Sequence, residues 1–275
     1  MKIDEAVSAH YAKPDLEQIV LRALARAGKD ATQLSAADLA PVDEFHVGGL
    51  EATEELARQM DLKPGLHLLD VGSGIGGPAR YFAAEHGCRV TGVDLTEEFV
   101  RAAAALTKLT CLDSLVEFRQ GSATQMPFAA ASFDRAYMIH VGMNVSGKAE
   151  LYREVRRTLK PGGLFAIFDI LRVSSGEVPY PVPWAHDAST SFLATPEEYR
   201  AALEDAGFTI RNERHRGPYS IEYMERMAAR VAEGGPPALA LHLLMGERTP
   251  LLMRNVLTAM KTKVLEPVEL FAEAV

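Results

Sequence analysis

His67-Leu68-Leu69-Asp70-Val71-Gly72-Ser73-Gly74-Ile75-Gly76-Gly77-Pro78-Ala79-Arg80 is the stretch from which the fold can be read. A short apolar run ends at Asp70 and Val71, glycines alternate at 72, 74 and 76, and a helical pattern opens near Pro78. An apolar run of that length bounded by glycines reads as a buried strand entering a tight turn. Glycines let the backbone approach a ligand closely, and the free N–H groups of the following helix start add a polar edge. A second strand, Arg89 to Asp94, ends in an acid about 20 residues beyond the first glycines, where a ribose-binding carboxylate sits in a doubly wound sheet. Nicotinamide-dependent enzymes share that layout, so Asp70 is the deciding residue. A carboxylate directly before the glycines repels a pyrophosphate and attracts an ammonium group.

Outward from this stretch, strands and helices alternate, which predicts a parallel sheet with helices on both faces. Strands are expected at 66–71, 89–94, 116–120, 133–139, 164–171 and 208–214, with a last one at 267–275. Helices are expected at 77–86, 97–108 (Thr96 as N-cap) and 148–159, and from the capping box Thr195-Pro196-Glu197-Glu198 to a stop at Gly207. The prediction is an α/β, Rossmann-like, doubly wound sheet of seven strands. It carries a helical N-terminal extension and a helical insertion before the last strand.

The expected organisation is an N-terminal helical lid at 1–62, a core at 63–217, an insertion at 218–263 and the terminal core strand at 264–275. In the extension, residues 14–27 have helical apolar spacing, Ser35 to Asp38 has capping-box spacing, and a second helix is expected over about 50–60. Five of the ten methionines (224, 227, 245, 253 and 260) fall in the insertion, where a Met stripe reads first as core and second as a pliable ligand wall.

The run Asp70-Val71-Gly72-Ser73-Gly74-Ile75-Gly76 resembles the cofactor motif of class I S-adenosylmethionine-dependent methyltransferases. The likeness covers about residues 65–215. Lys160-Pro161-Gly162-Gly163-Leu164 resembles the family's post-motif turn. Gly121 to Phe128, followed by Ser132-Phe133-Asp134, resembles its third-to-fourth-strand segment. The form Gly-Ser-Gly-Ile-Gly-Gly-Pro-Ala-Arg is most similar to the small-molecule branch, which includes sarcosine and dimethylglycine, phosphoethanolamine, and tocopherol or quinone methyltransferases.

The resemblance implies transfer of a methyl group from S-adenosylmethionine, leaving S-adenosylhomocysteine, to a small molecule of the amine or the quinol and phenol type. It also implies that Asp70, Gly72, Ser73, Gly74 and Gly76 hold the methionine end. Asp94 would accept from the ribose hydroxyls, Leu95 would flank the adenine, and Ser122 with Ala123 would border its edge. The family usually has Asp where Ser122 stands, and a hydroxyl accepts without charge assistance. His140, just past the fourth strand, is expected near the sulfonium and is the candidate catalytic base, with a structural role as the alternative. Tyr11, His46, Asn144, Trp184 and His186 are candidate substrate contacts because they fall in or near connections.

With 29 Lys+Arg against 37 Asp+Glu the formal charge is −8, and no basic run suggests a nucleic-acid partner. Two cysteines, Cys88 and Cys111, without ligand spacing predict neither a disulfide framework nor a metal site. No secretory leader or membrane-spanning run is expected, which reads as a cytoplasmic protein, and nothing in the pattern indicates an oligomer. Two other functions fit less of the pattern. One is a nicotinamide-dependent oxidoreductase; the other is a non-catalytic subunit that binds S-adenosylmethionine.

Overall fold

The structure, a computed structural model, describes residues 3–275. Four helices come first: α1 (Ile3–Tyr11), α2 (Leu16–Arg26), α3 (Ala36–Asp43) and α4 (Gly49–Arg58). The alternating part runs β1 (His67–Val71), α5 (Gly77–His86), β2 (Arg89–Asp94), α6 (Glu97–Leu109), β3 (Val116–Gln120) and β4 (Phe133–Ile139). It continues through α7 (Lys148–Thr158), β5 (Leu159–Arg172), α8 (Pro196–Asp205) and β6 (Phe208–His215). Three helices, α9 (Gly217–Gly234), α10 (His242–Met245) and α11 (Thr249–Lys261), precede β7 (Leu265–Ala274).

One seven-stranded sheet has the order β3-β2-β1-β4-β5-β7-β6. The strands from β3 to β5 pair in parallel, and β7 is antiparallel to both β5 and β6. Sheet alternation sends neighbouring residues to opposite faces. Leu68, Tyr137, Ala166 and Phe168 pack with Ala79 and Phe82 of α5 and Leu56 of α4. Leu69, Met138, Phe165 and Ile167 pack with Leu151 and Val155 of α7 and Leu203 of α8. A strand covered on both faces is a nearly continuous apolar run, which is why the segment before Asp70 looks as it does.

Three local differences from expectation have physical causes. The helix expected to stop at the Lys160–Gly163 turn ends earlier, at Thr158; β5 starts at Leu159, which pairs with Phe133 before the register shifts. The residue before Pro161 is disfavoured in helix, so the helix ends before the proline does its work. Thr96 stands at the N-cap of α6, but its side chain makes no cap hydrogen bond; its N–H donates to Asp94 Oδ1 at 2.8 Å. Helix α1 has no counterpart in the expected pattern. A segment of nine residues has little helical stability in isolation, and its position is set by tertiary packing.

The fold brings the site together at the reversal of strand order between β1 and β4. In open α/β sheets a crevice forms there, at the carboxyl ends of the strands. The extension closes one side through Val20, Leu24 and Leu39, which pack on Phe99 and Leu106 of α6. The insertion closes the other: Met224, Val256 and Met260 pack with Val47, Met143, Ile170 and Trp184. Met224 and Met260 are therefore core, whereas Met253 reaches the cavity described next.

Candidate active site

A cavity of about 400 Å³ opens at this crevice. Its walls are the connections after β1 (Gly72 to Ile75), β2 (Asp94 to Thr96), β3 (Gly121 to Thr124) and β4 (His140 to Gly147). The extension contributes Asp4, Val7, Tyr11, Asp43, Phe45 and His46, and the later chain contributes Ile170, Trp184, Met253 and Val256.

The glycine turn is held by two donors: the N–H groups of Gly72 and Ser73 donate to Val93 O at 2.8 and 3.0 Å. Gly72 has φ of 76°, and a Cβ there would meet Val141 Cγ2 at 2.3 Å, so the position needs glycine twice over. Gly74 has φ of 54°, and a Cβ there would meet nothing within 4 Å. Backbone thus stands bare on the cavity at Gly74. Gly76 also lies in the left-handed region, but it packs under Phe118 and does not line the cavity.

Arg80 anchors this turn from behind. Its guanidinium is fully buried and donates to Ile75 O at 2.6 Å, Asp43 Oδ2 at 2.7 Å, Thr107 Oγ1 at 2.9 Å and Ala103 O at 3.3 Å. One side chain of α5 therefore ties together the glycine turn, α3 and α6.

Asp70 is 3% exposed, lines the cavity, and its Oδ2 has no hydrogen-bond partner. Burial pushes its carboxyl up to about 8, against an opposing contribution from the Tyr137 hydroxyl. Ser73, another residue of the cavity wall, likewise has a buried Oγ without a partner. Orphaned buried polar atoms are costly, and an orphan facing a cavity is satisfied by what the cavity holds.

Asp94 accepts from Gly74 N at 2.8 Å through Oδ2 and from Thr96 N through Oδ1. Burial raises its carboxyl to about 6, with these backbone donors pulling it down. Each oxygen keeps a further lone pair for a ligand. Leu95, Ser122 and Ala123 line the same end. Ser122 Oγ lies 3.0 Å from Thr124 Oγ1 and donates to Asp4 Oδ2 at 3.5 Å. Asp4, which no motif in the sequence singles out, comes from α1 and stands beside the position where the resembling family carries its own acid.

His140 lies in the left-handed region with φ of 53°, and its N–H donates to Phe168 O at 2.7 Å. Its ring stacks at a tilt 4.9 Å from Phe168 and lies edge-on 5.9 Å from His46. Nε2 of His140 is buried with no partner, and burial holds the imidazole well below its usual pKa, with His46 adding to the effect. His46 Nε2 lies 3.0 Å from Gly49 O and 3.2 Å from Thr53 Oγ1, which in turn donates to Glu44 Oε2 at 2.6 Å. Burial lowers His46 to about 4. Both imidazoles are neutral at pH 7.

Tyr11, Asn144 and Trp184 all line the cavity, but their polar groups serve one another. Tyr11 donates its hydroxyl to Asn144 Oδ1 at 2.7 Å, and Asn144 Nδ2 donates to Trp184 O at 2.8 Å. Trp184 Nε1 donates to Ser191 Oγ at 2.9 Å. This chain of bonds braces three connections and leaves the ring faces as wall. His186 is not brought to the cavity: it is exposed, with Asp187 Oδ2 3.8 Å away. The neighbouring Trp184 is turned inward, and an exposed imidazole two residues later lies on the outer side of the loop.

Residues 69–167 match a family model described as a methyltransferase domain. A sterol 24-C-methyltransferase of Gibberella zeae is 39% identical over 116 residues, covering 42% of this chain and 30% of that protein. Phosphoethanolamine N-methyltransferase 1 of Arabidopsis thaliana is 35% identical over 163 residues, covering 59% of this chain and 32% of the other. The chain spans about a third of the length of these curated relatives. Geranyl diphosphate C-methyltransferase from Streptomyces coelicolor, solved with Mg2+, geranyl-S-thiolodiphosphate and S-adenosylhomocysteine, superposes with a TM-score of 0.72 at 18% identity, covering 100% of this chain and 99% of that one. The antiparallel β7 inserted between β5 and β6 also departs from the 3-2-1-4-5-6 strand order of dinucleotide-binding dehydrogenases. Residues 69–167 thus match a methyltransferase-domain model, and the chain as a whole shares its fold with the solved geranyl diphosphate methyltransferases.

Proposed function

We propose that this protein transfers the methyl group of S-adenosylmethionine to a small-molecule acceptor held in the same cavity. The observation that carries the reading is the buried Asp70 carboxyl, its Oδ2 without a partner, which lines one cavity with the bare Gly74 backbone, Asp94 and His140. An ammonium group at Asp70 would complete the orphaned oxygen and favour the ionised carboxylate, whereas a diphosphate there would push the carboxyl still further from ionisation and gain no counter-charge from it. Asp94 would accept from the ribose hydroxyls with its remaining lone pairs, and Gly72, Ser73 and Gly76 would shape the turn around the amino-acid tail. Leu95, Ala123 and Ser122 would border the base, with the Asp4 carboxylate behind Ser122.

S-adenosylmethionine, when bound, supplies a methyl carbon activated by a positively charged sulfur. The chain's own part is to align the acceptor with that carbon and to exclude water. Val7 and Tyr11 of α1, Leu244 of α10 and Leu241 just before it belong to the cavity wall, which supports reading the extension and the insertion as its lid. His140 Nε2 is neutral and unpartnered, so it accepts a hydrogen bond from an acceptor hydroxyl and receives the proton that this oxygen loses on methylation. The cavity's size and the −8 net charge favour a small molecule over a nucleic acid, and two unpaired cysteines suit a reducing, cytoplasmic setting. Among the described residues no helix is long and apolar enough to cross a membrane.

His140→Ala is expected to leave S-adenosylhomocysteine affinity within about threefold while turnover falls about a hundredfold, a usual contribution of a positioned base. Turnover at the wild-type level would return His140 to a structural role.

The pH dependence of binding follows from Asp70. Its free carboxyl is protonated below about pH 8, and only the ionised form pairs with an ammonium group. Affinity for S-adenosylhomocysteine therefore rises with pH from about 6 to 8, with proton release on binding. Calorimetry in buffers of different ionisation heat reads that release, and Asp70→Asn should abolish most of it. A flat pH profile in the wild type would remove Asp70 from the ligand.

A further inference from the structure

The strand order places the connections after β1, β2 and β3 on one side of the reversal point, and those after β4 and β5 on the other. The first side carries the Asp70 and Asp94 carboxyls. The second side has a different chemistry, and it defines the acceptor.

Its wall is Phe45, Met143, Ile170, Trp184, Met253 and Val256. Four of these, Met143, Ile170, Trp184 and Val256, are themselves part of a buried apolar cluster, so the wall is fixed by packing behind it. The polar atoms that reach this side are already bonded to protein, as in the Tyr11, Asn144 and Trp184 chain. His140 Nε2 is a buried side-chain atom left without a partner here.

The cations around the cavity are also committed. Lys148 Nζ donates to the carbonyls of Gly142, Val145 and Phe192 at 2.7, 2.6 and 2.8 Å, using all three of its hydrogens. Lys13 Nζ donates to Leu243 O and Leu244 O at 2.6 and 3.2 Å. Arg80 is bound behind the glycine turn. Among the described residues that line the cavity, the charged side chains are Asp4, Asp43, Asp70, Asp94 and Glu150, all acids. A phosphate or carboxylate entering here would lose its water and gain neither a counter-charge nor a set of donors.

We infer that the acceptor is an uncharged, largely apolar molecule with one hydrogen-bonding group, a hydroxyl facing His140, and that it carries neither phosphate nor carboxylate. This rests on the methyltransferase reading and selects the quinol and phenol type of acceptor over amino acids of the glycine type. It also sets this chain apart from a cavity for phosphoethanolamine or an isoprenoid diphosphate.

Trp184, the single tryptophan of the chain, lies in the wall and reports occupancy by its fluorescence. The experiment titrates the S-adenosylhomocysteine-saturated protein with geraniol, geranyl diphosphate and geranylamine, which share one chain and differ in the head group. Geraniol is expected to bind about tenfold tighter, or more, than either charged probe, because the diphosphate finds no cation in the cavity and the ammonium finds no carboxylate on the apolar wall of Phe45, Met143, Ile170, Trp184, Met253 and Val256. Met253→Lys should weaken geraniol and strengthen geranyl diphosphate, with retained S-adenosylhomocysteine binding as the test that the variant is folded. Tighter binding of geranyl diphosphate or geranylamine, or no binding of geraniol to the saturated protein, overturns the inference. Failure of S-adenosylhomocysteine itself to bind overturns the underlying methyltransferase reading instead.

Discussion

Asp94→Ala is expected to weaken S-adenosylhomocysteine binding about a hundredfold or more, because two charge-assisted hydrogen bonds to ribose are lost at about 1.5–3 kcal/mol each. The same carboxylate also holds the N–H groups of Gly74 and Thr96. Both N–H groups lie at the cavity edge, where water can replace the lost acceptor, so the fold should persist. Circular dichroism should be unchanged and the melting temperature within a few degrees, while the titration midpoint moves by about two orders of magnitude. An unchanged midpoint would take Asp94 out of the site.

Arg80→Leu has the largest expected effect on stability. The substitution leaves Asp43 buried beside the Ile75 carbonyl with no cation, and Glu44 is buried next to it in sequence. Removing one partner of a buried ion pair costs about 3–5 kcal/mol. For a chain of this size that corresponds to a fall of roughly 10 °C in melting temperature. The double variant Arg80→Leu with Asp43→Leu should recover much of the loss, since a matched apolar pair leaves no stranded charge. A melting temperature for Arg80→Leu within about 2 °C of wild type would show that the pair contributes little. Because Arg80 also holds Ile75 O, the single variant should loosen the glycine turn and weaken ligand binding as well.

The parts of this arrangement that sequence made legible are those set by short-range pattern. β2 and β4 fall where their apolar residues and flanking turns put them, as strands covered on both faces, and the edge strand β3 falls where the alternation Val116-Glu117-Phe118-Arg119 puts it. Asp70 and Asp94 were legible because the strand-turn-helix unit fixes where each strand's last residue points. Less was legible where position depends on contacts distant in sequence. Asp4 reaches the cavity only because the extension folds back over it, and its local sequence carries no mark of that. The bonding of Asn144 to Tyr11, 133 residues away, likewise could not be read from its loop. His186 shows the converse: its loop is next to the cavity, but loop proximity does not decide which way one imidazole points.

The central claim is that the buried Asp70 carboxyl before the glycine turn, with Oδ2 left without a partner, selects a ligand with an ammonium tail over one with a diphosphate. Titration calorimetry of the purified protein with S-adenosylhomocysteine and, separately, with NAD tests it most directly. Saturable binding of S-adenosylhomocysteine, with no heat from NAD, is the predicted result. Saturable binding of NAD that S-adenosylhomocysteine does not displace would contradict it.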